Sequence, residues 1–123
     1  MSEHPNAALV RHMGEAMSHG DMATAAATLA DDVVWHEIGR PNPLRGKEEL
    51  RGGMSGGDYE ITYVIHDVVA NDDHAVALGE ATATRQGRRL TYRTAEIYHV
   101  RDGKIVERWA FSDDTAAILA FFA

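Results

Sequence analysis

Two glutamates and their neighbours are the chain's candidates for chemistry, and that chemistry is proton transfer. Glu37 follows Trp35 and His36 at the end of a short apolar run and precedes the loop Arg40-Pro41-Asn42-Pro43. A carboxylate held there beside an apolar cavity keeps its proton more readily than one in water and can shuttle it between carbons of a bound molecule. The competing reading is a solvated carboxylate, or one paired with Arg40 or Arg45. Glu96 stands in a long alternating run. Leu90, Tyr92, Thr94, Glu96, Tyr98 and Val100 share one face of it, and Arg89, Thr91, Arg93, Ala95, Ile97, His99 and Arg101 share the other. The first set is largely apolar and faces inward, unless a bulge shifts the parity. A buried carboxylate must be protonated, hydrogen-bonded or paired. Glu96 is therefore either a neutral acid that donates to a substrate oxygen, or one half of an ion pair with Arg108. Arg108 alternates with Val106 and Ala110 on the following strand. Such a pair can itself bind a substrate carboxylate.

His36 adjoins Glu37 but points to the opposite face of a regular strand. Its titration near neutral pH suits a proton carrier. No second histidine follows at the helical spacing that a zinc-binding motif requires, and no other cluster has metal-ligand spacing. Neither a metal nor a cofactor is expected. Tyr59, Tyr63, Tyr92 and Tyr98 each either place a hydroxyl in a pocket or fill the core. Trp35 and Trp109 read as core or pocket wall. There is no nucleophile elbow, phosphate-binding loop or dinucleotide fingerprint. Gly52-Gly53 and Gly56-Gly57 flank Met54-Ser55 in a stretch without the strand–helix context of a phosphate site.

The elements that must position these residues are legible from periodicity. Asn6 can cap a helix carrying Leu9, Val10, Met13 and Met17, with Gly20 as its stop, and Asp21 a second one from Met22 to Leu29. Val33 to His36 reads as a short strand and Lys47 to Met54 as a third helix. Tyr59-Ile61-Tyr63-Ile65 alternates with Glu60-Thr62-Val64-His66, and Asn71-Asp72-Asp73 marks a turn. Strands over His74 to Arg85, Arg88 to Val100 and Lys104 to Phe111 follow, joined at Gln86-Gly87 and Arg101-Asp102-Gly103. Asp113 can cap a last helix with Ile118, Leu119, Phe121 and Phe122. Three helices and then an antiparallel meander make an α+β pattern.

The 123 residues suit a single domain over 1–123. With no cysteine, disulfides, thiolate metal sites and cysteine nucleophiles are excluded. Twelve Lys+Arg against nineteen Asp+Glu give a net charge of −7, which opposes binding to nucleic acid or an anionic membrane. No run is apolar for the ~18 residues of a membrane span, and the N-terminus lacks a signal-peptide pattern, so a cytoplasmic location is expected. Arg85, Arg88, Arg89 and Arg93 form the one basic cluster, either an anion site or a solvated hairpin tip.

On three segments, ADDVVWHEIGRPNPLRG (30–46), HDVVANDDHAVAL (66–78) and RDGKIVERWAFSDD (101–114), the chain resembles the NTF2-like superfamily and, within it, SnoaL-like proteins. The resemblance implies a cone: a strongly curved, mostly antiparallel sheet around a pocket, lidded by the N-terminal helices and dimeric through the sheet. Members include ketosteroid isomerases, polyketide cyclases, limonene epoxide hydrolases, dehydratases and non-enzymes, so the fold settles no reaction. Residues 20–50 align without gaps to bacterial ketosteroid isomerases, and Glu37 falls where those enzymes keep their base. With one residue deleted in the Arg101-Asp102-Gly103 turn, Glu96 falls where they keep a protonated acid. Their oxyanion-hole tyrosine falls near Met13, which cannot donate a hydrogen bond. Polyketide cyclases and limonene epoxide hydrolases carry an aspartate where this chain has Ala110, so those two chemistries are not expected in their known form.

The resulting expectation is a pocket for a small hydrophobic ligand, with Glu37, Glu96 and His36 as catalytic residues. Trp35, Tyr63, Tyr92, Tyr98, Arg108 and Met13 would line it. The reaction class is a cofactor-free isomerisation, cyclisation or dehydration of a carbonyl compound; a non-catalytic binding module is the alternative. A homodimer is expected, with Ile97, Trp109, Phe121 and Phe122 as apolar cover.

Overall fold

A computed structural model describes residues 3–54 and 57–123, and these residues make four helices and six strands. Helix α1 (Pro5–Ser18) buries Ala7, Val10, Met13 and Ala16 at helical spacing. Its cap is His4, whose ring accepts from the Asn6 amide, with Pro5 in the first turn. Asn6, expected as the cap, instead donates through its side chain to the carbonyls of Asn71 and Asp72 and ties the helix to the β3–β4 turn. Asp21 caps α2 (Met22–Ala27) as expected, but the helix ends at Thr28, and Leu29 already belongs to strand β1 (Leu29–Trp35). The two-residue β2 (Leu44–Arg45) leads into α3 (Gly46–Met54). Gly52 and Gly53 lie inside that helix rather than in a loop, while Ser55 and Gly56 fall outside the described residues.

The rest is a meander: β3 (Tyr59–Ala70), β4 (His74–Arg85), β5 (Arg88–Arg101) and β6 (Lys104–Ser112). The β4–β5 and β5–β6 connections carry positive φ at both central residues, Gln86-Gly87 and Asp102-Gly103, the turn geometry that matches strand twist. The sheet order is β2-β1-β6-β5-β4-β3. All neighbours are antiparallel except β1 and β6, which run parallel. That one parallel pair departs from a plain meander. It brings the end of β1, with Trp35 opposite Arg108, next to the last strand.

The alternation of β5 holds: Tyr92, Thr94, Glu96, Tyr98 and Val100 are all buried. A register shift occurs against β6 between His99 and Val100, beyond Glu96, and leaves its orientation intact. The inner face of β4 is a stripe of small residues, Ala75, Ala77, Gly79, Ala81 and Ala83, all buried. Larger side chains from β3 and β5 lean over this stripe. A Cβ on Gly79 would lie 2.5 Å from the Tyr63 ring, so only glycine admits the phenol there.

Helix α4 (Thr115–Phe121) is capped by Asp114, one residue after the expected Asp113. Arg85 donates to the Phe121 and Ala123 carbonyls, and Arg88 to that of Phe121 while lying 5.2 Å from its ring. Half of the basic cluster thus ties down the end of α4, a structural duty rather than an anion site.

Candidate active site

Two apolar clusters occupy the inside of the sheet. One lies beneath α1–α3 and includes Val33, Trp35 and Tyr98; the other lies beneath α4 and includes Tyr92, Ile118 and Phe121. Along β5 the residues between Tyr92 and Tyr98 on this face are Thr94 and Glu96, so a polar band separates the clusters.

Glu96 is 6% exposed and its partner is Arg108. The Arg108 Nε donates to Glu96 Oε1 at 3.0 Å, Nη2 donates to the same oxygen, and the Tyr98 hydroxyl donates to it at 3.4 Å. Three donors converging on one oxygen, two from a guanidinium, describe a carboxylate rather than a neutral acid. The ion-pair reading of Glu96 is therefore the one the geometry matches. Arg108 lies over the Trp35 indole, 4.5 Å from its centroid, and donates through Nη1 to the His36 carbonyl at 3.0 Å. The His36 amide donates back to the Arg108 carbonyl at 2.8 Å. Both backbone groups of His36, the residue before Glu37, are thus held by Arg108.

Glu37 is half-buried just past the end of β1. Among the described residues its carboxylate has no hydrogen bond and no ion pair; neither Arg40 nor Arg45 reaches it. Tyr63 crosses from β3 over Gly79 to meet the Thr94 hydroxyl at 2.8 Å. Trp35 meets Tyr98 edge-on at 6.4 Å.

The structure brings Trp35, Tyr63, Tyr98, Glu96 and Arg108 together, with Tyr92 in the adjoining cluster. It turns the His36 ring away from them, and it places Met13 with Trp35 and Tyr98 in the apolar cluster beneath the helices. The His36 ring turns to the outer face, where it stacks on Trp109 at 3.5 Å and meets Glu107 Oε2 at 2.7 Å. That is the opposite face from Glu96, as strand alternation dictates. Met13 is buried under the helices, where it lines a cavity of about 220 Å³ with Trp35, Met17, Leu50, Lys47 and Arg51. Sequence reasoning missed Thr94, although parity already put it inside. It also missed Lys47 and Arg51, whose four-residue spacing on α3 was a readable signal. Among the described residues, no group of three or more His, Asp or Glu side chains is arranged to hold a metal, and no helix is long and apolar enough to cross a membrane.

Burial pushes the Tyr63, Tyr92 and Tyr98 phenols up from their usual range, and the Glu96 charge adds to each shift. For Arg108 burial is the largest single influence and works against the charged form, but the charges of Glu96 and Tyr98 and the hydrogen bonds to both together outweigh it and hold the guanidinium proton more tightly than usual. All three phenols are therefore neutral donors at physiological pH. A folded-state pKa raised above the unfolded value contributes stability that is complete below the unfolded pKa and is lost as pH rises. The phenols should therefore cost the fold stability above pH ~10, by up to ~1.4 kcal/mol per pH unit for each group that stays protonated only when folded. Denaturant melts between pH 9 and 11 should show this decline, and Tyr98→Phe should flatten it; an unchanged slope would contradict the burial of its hydroxyl.

A family model for the SnoaL-like domain matches residues 10–108. An uncharacterised protein of Mycobacterium tuberculosis is 28% identical over all of both chains. Among solved structures, Bal32a from a soil-derived mobile gene cassette superposes with a TM-score of 0.82 at 25% identity, covering 97% of each chain. An NTF2-like protein of unknown function from Burkholderia pseudomallei superposes at 0.83 with 22% identity, over 100% of this chain and 99% of that one. The α+β cone, the order of its strands and the match over most of its length agree: the chain belongs to the family of SnoaL-like domains and has the NTF2-like fold.

Proposed function

We propose that the protein binds a small hydrophobic carbonyl compound inside the sheet and moves a proton on it without a cofactor, as an isomerase, cyclase or dehydratase does. The observation that carries this is Glu37: a half-buried carboxylate with no partner among the described residues, on a strand end fixed by a buried guanidinium. In the proposed step Glu37 takes a proton from the carbon next to the carbonyl. The electron pair moves to the carbonyl oxygen, and the proton returns at another carbon. Met13 supplies no donor to that oxygen, and Glu96 is engaged by Arg108, so this reading assigns the donor's role to the phenols of Tyr63 and Tyr92. His36, on the outer face, supports Glu37 only through the backbone. The test is exchange of α-protons of simple enones in D₂O. Exchange that depends on Glu37 supports the reading. Enones that bind without any exchange would instead favour a non-catalytic binding module, which the missing donor at Met13 also favours.

We further propose that the protein is a homodimer through the outer sheet face. Val64 (67% exposed), Trp109 (37%) and Phe111 (51%) lie on that face, and apolar patches of this kind favour association. Phe121, expected to help cover that face, is buried on the inner side of α4 in the cluster with Tyr92 and Ile118 instead. Light scattering at micromolar concentration should give twice the 13.5 kDa chain mass; a single-chain mass would exclude this dimer.

A further inference from the structure

We propose that the cavity beneath the three N-terminal helices is a second binding site, one that takes a small amphipathic carboxylate: a substituted single ring or a short acyl chain with an acidic head. This goes beyond the proton-transfer reading and does not depend on it. Neither Glu37 nor Glu96 lines the cavity, and Trp35 is the one residue it shares with the interior polar cluster.

Size sets the body of the ligand. The volume is about 220 Å³, and a dry apolar cavity of ~150 Å³ already holds benzene. The wall fits an apolar body: Met13 and Met17 from α1, Met22 from α2, Leu50 from α3 and the Trp35 indole. Methionines are unbranched and adapt to ligands of differing shape. Met22 is about half exposed, so the cavity opens to water beside it.

Charge sets the head. The two charged residues that line the cavity are both cations, Lys47 and Arg51, on one side of α3 at i, i+4 spacing. Among the described residues Arg51 has no ion-pair partner. Lys47 reaches Asp31 at 3.5 Å, but that carboxylate is fully exposed, so the pair is weak and readily exchanged. The acids of α3 do not line the cavity: Glu49 turns back to accept from the Arg45 amide, and Glu48 is exposed. In a chain of net charge −7, two cations at the rim of an apolar cavity with no acid in its wall are a local reversal of sign. A neutral ligand gains little from them, whereas a carboxylate seated at the rim reaches both.

The experiment titrates the protein with hexanoate and benzoate, and with hexanol and benzyl alcohol as neutral counterparts. The methionine methyls and the two indole N–H groups are followed by NMR. The acids should shift the Met13 and Met17 methyls and the Trp35 indole but leave the Trp109 indole in place. They should bind about three- to tenfold more tightly than the alcohols, the scale of two partly exposed ion pairs. The double variant Lys47→Gln, Arg51→Gln keeps most of the length of both side chains while removing their charge, and should remove the preference for acids while the alcohols bind as before. Alcohols that bind as well as acids, shifts centred on Tyr63 and Tyr92, or no shift at millimolar ligand would each overturn the proposal. None of these readouts involves proton exchange, so failure of the catalytic reading would leave this one standing, and the reverse.

Discussion

Arg108→Met should cost the fold about 3–5 kcal/mol, the scale of breaking a buried ion pair from one side. The side chains of Arg108 and Glu96 are 13% and 8% exposed. Methionine fills much of the space of the arginine stem but leaves the Glu96 carboxylate among Trp35, Tyr98 and Ala110 with one phenolic donor. Domains of this size are stable by only ~5–15 kcal/mol, so the variant should lie near the edge of folding at room temperature. The loss belongs to the stranded charge rather than to the missing attraction, and a second substitution separates the two. Adding Glu96→Leu should restore most of the stability, because a buried pair replaced by apolar residues of similar volume is often neutral or better. Urea melts of the wild type and of the single and double variants check this. A single variant that loses less than ~1 kcal/mol would mean that water reaches Glu96, and with it the description of a closed polar band would fall.

Glu37→Gln should lower any proton-exchange activity by ~10²–10⁴-fold with binding of the carbonyl compound little changed. Glutamine keeps the shape and reach of the side chain but cannot accept the proton. Because Glu37 has no partner among the described residues, its replacement should not disturb the fold, and an unchanged melt serves as the control. Glu96→Gln should cost less activity and more stability, since Glu96 is engaged by Arg108 and Tyr98 rather than turned to a substrate. The opposite ranking in activity would make Glu96 the base. Small, equal effects from both would favour a binding module.

How much of this was legible beforehand differs by residue. The interior position of Glu96 followed from parity alone, since side chains in a strand alternate and the register shift falls beyond it. Its pairing with Arg108 was one of two open readings, because alternation says which face a residue takes but not which neighbour it meets. The hairpin turns were legible because Gln86-Gly87 and Asp102-Gly103 need positive φ. The caps at Asn6 and Asp113 each missed: several residues near a helix start can accept an amide, and tertiary contacts decide among them. The parallel pairing of β1 with β6 joins residues some seventy positions apart, and no local pattern encodes it. The helical cavity was invisible for the same reason, since its wall draws on α1, α2, α3 and β1 at once.

The small-residue stripe on β4 bears on how such a protein can diversify. Ala75 and Ala77 belong to one core cluster and Ala81 and Ala83 to the other, with Gly79 between them under the Tyr63 phenol. Strand β4 therefore contributes almost no side-chain bulk to the interior, and on the proposed reading its backbone is the floor on which a ligand would rest. Ala75, Ala81 and Ala83 stand opposite Tyr98, Tyr92 and Leu90 of β5, so bulk added there meets no member of the Glu96–Arg108 pair directly across, whereas Ala77 stands opposite Glu96 itself. Selection could tailor the room above the floor along a single strand, one position at a time, and leave the polar groups where they are. Gly79 and Ala77 are the fixed points in that scheme: a side chain on Gly79 displaces Tyr63, bulk on Ala77 meets Glu96, and so the strand offers three adjustable positions and two that are not.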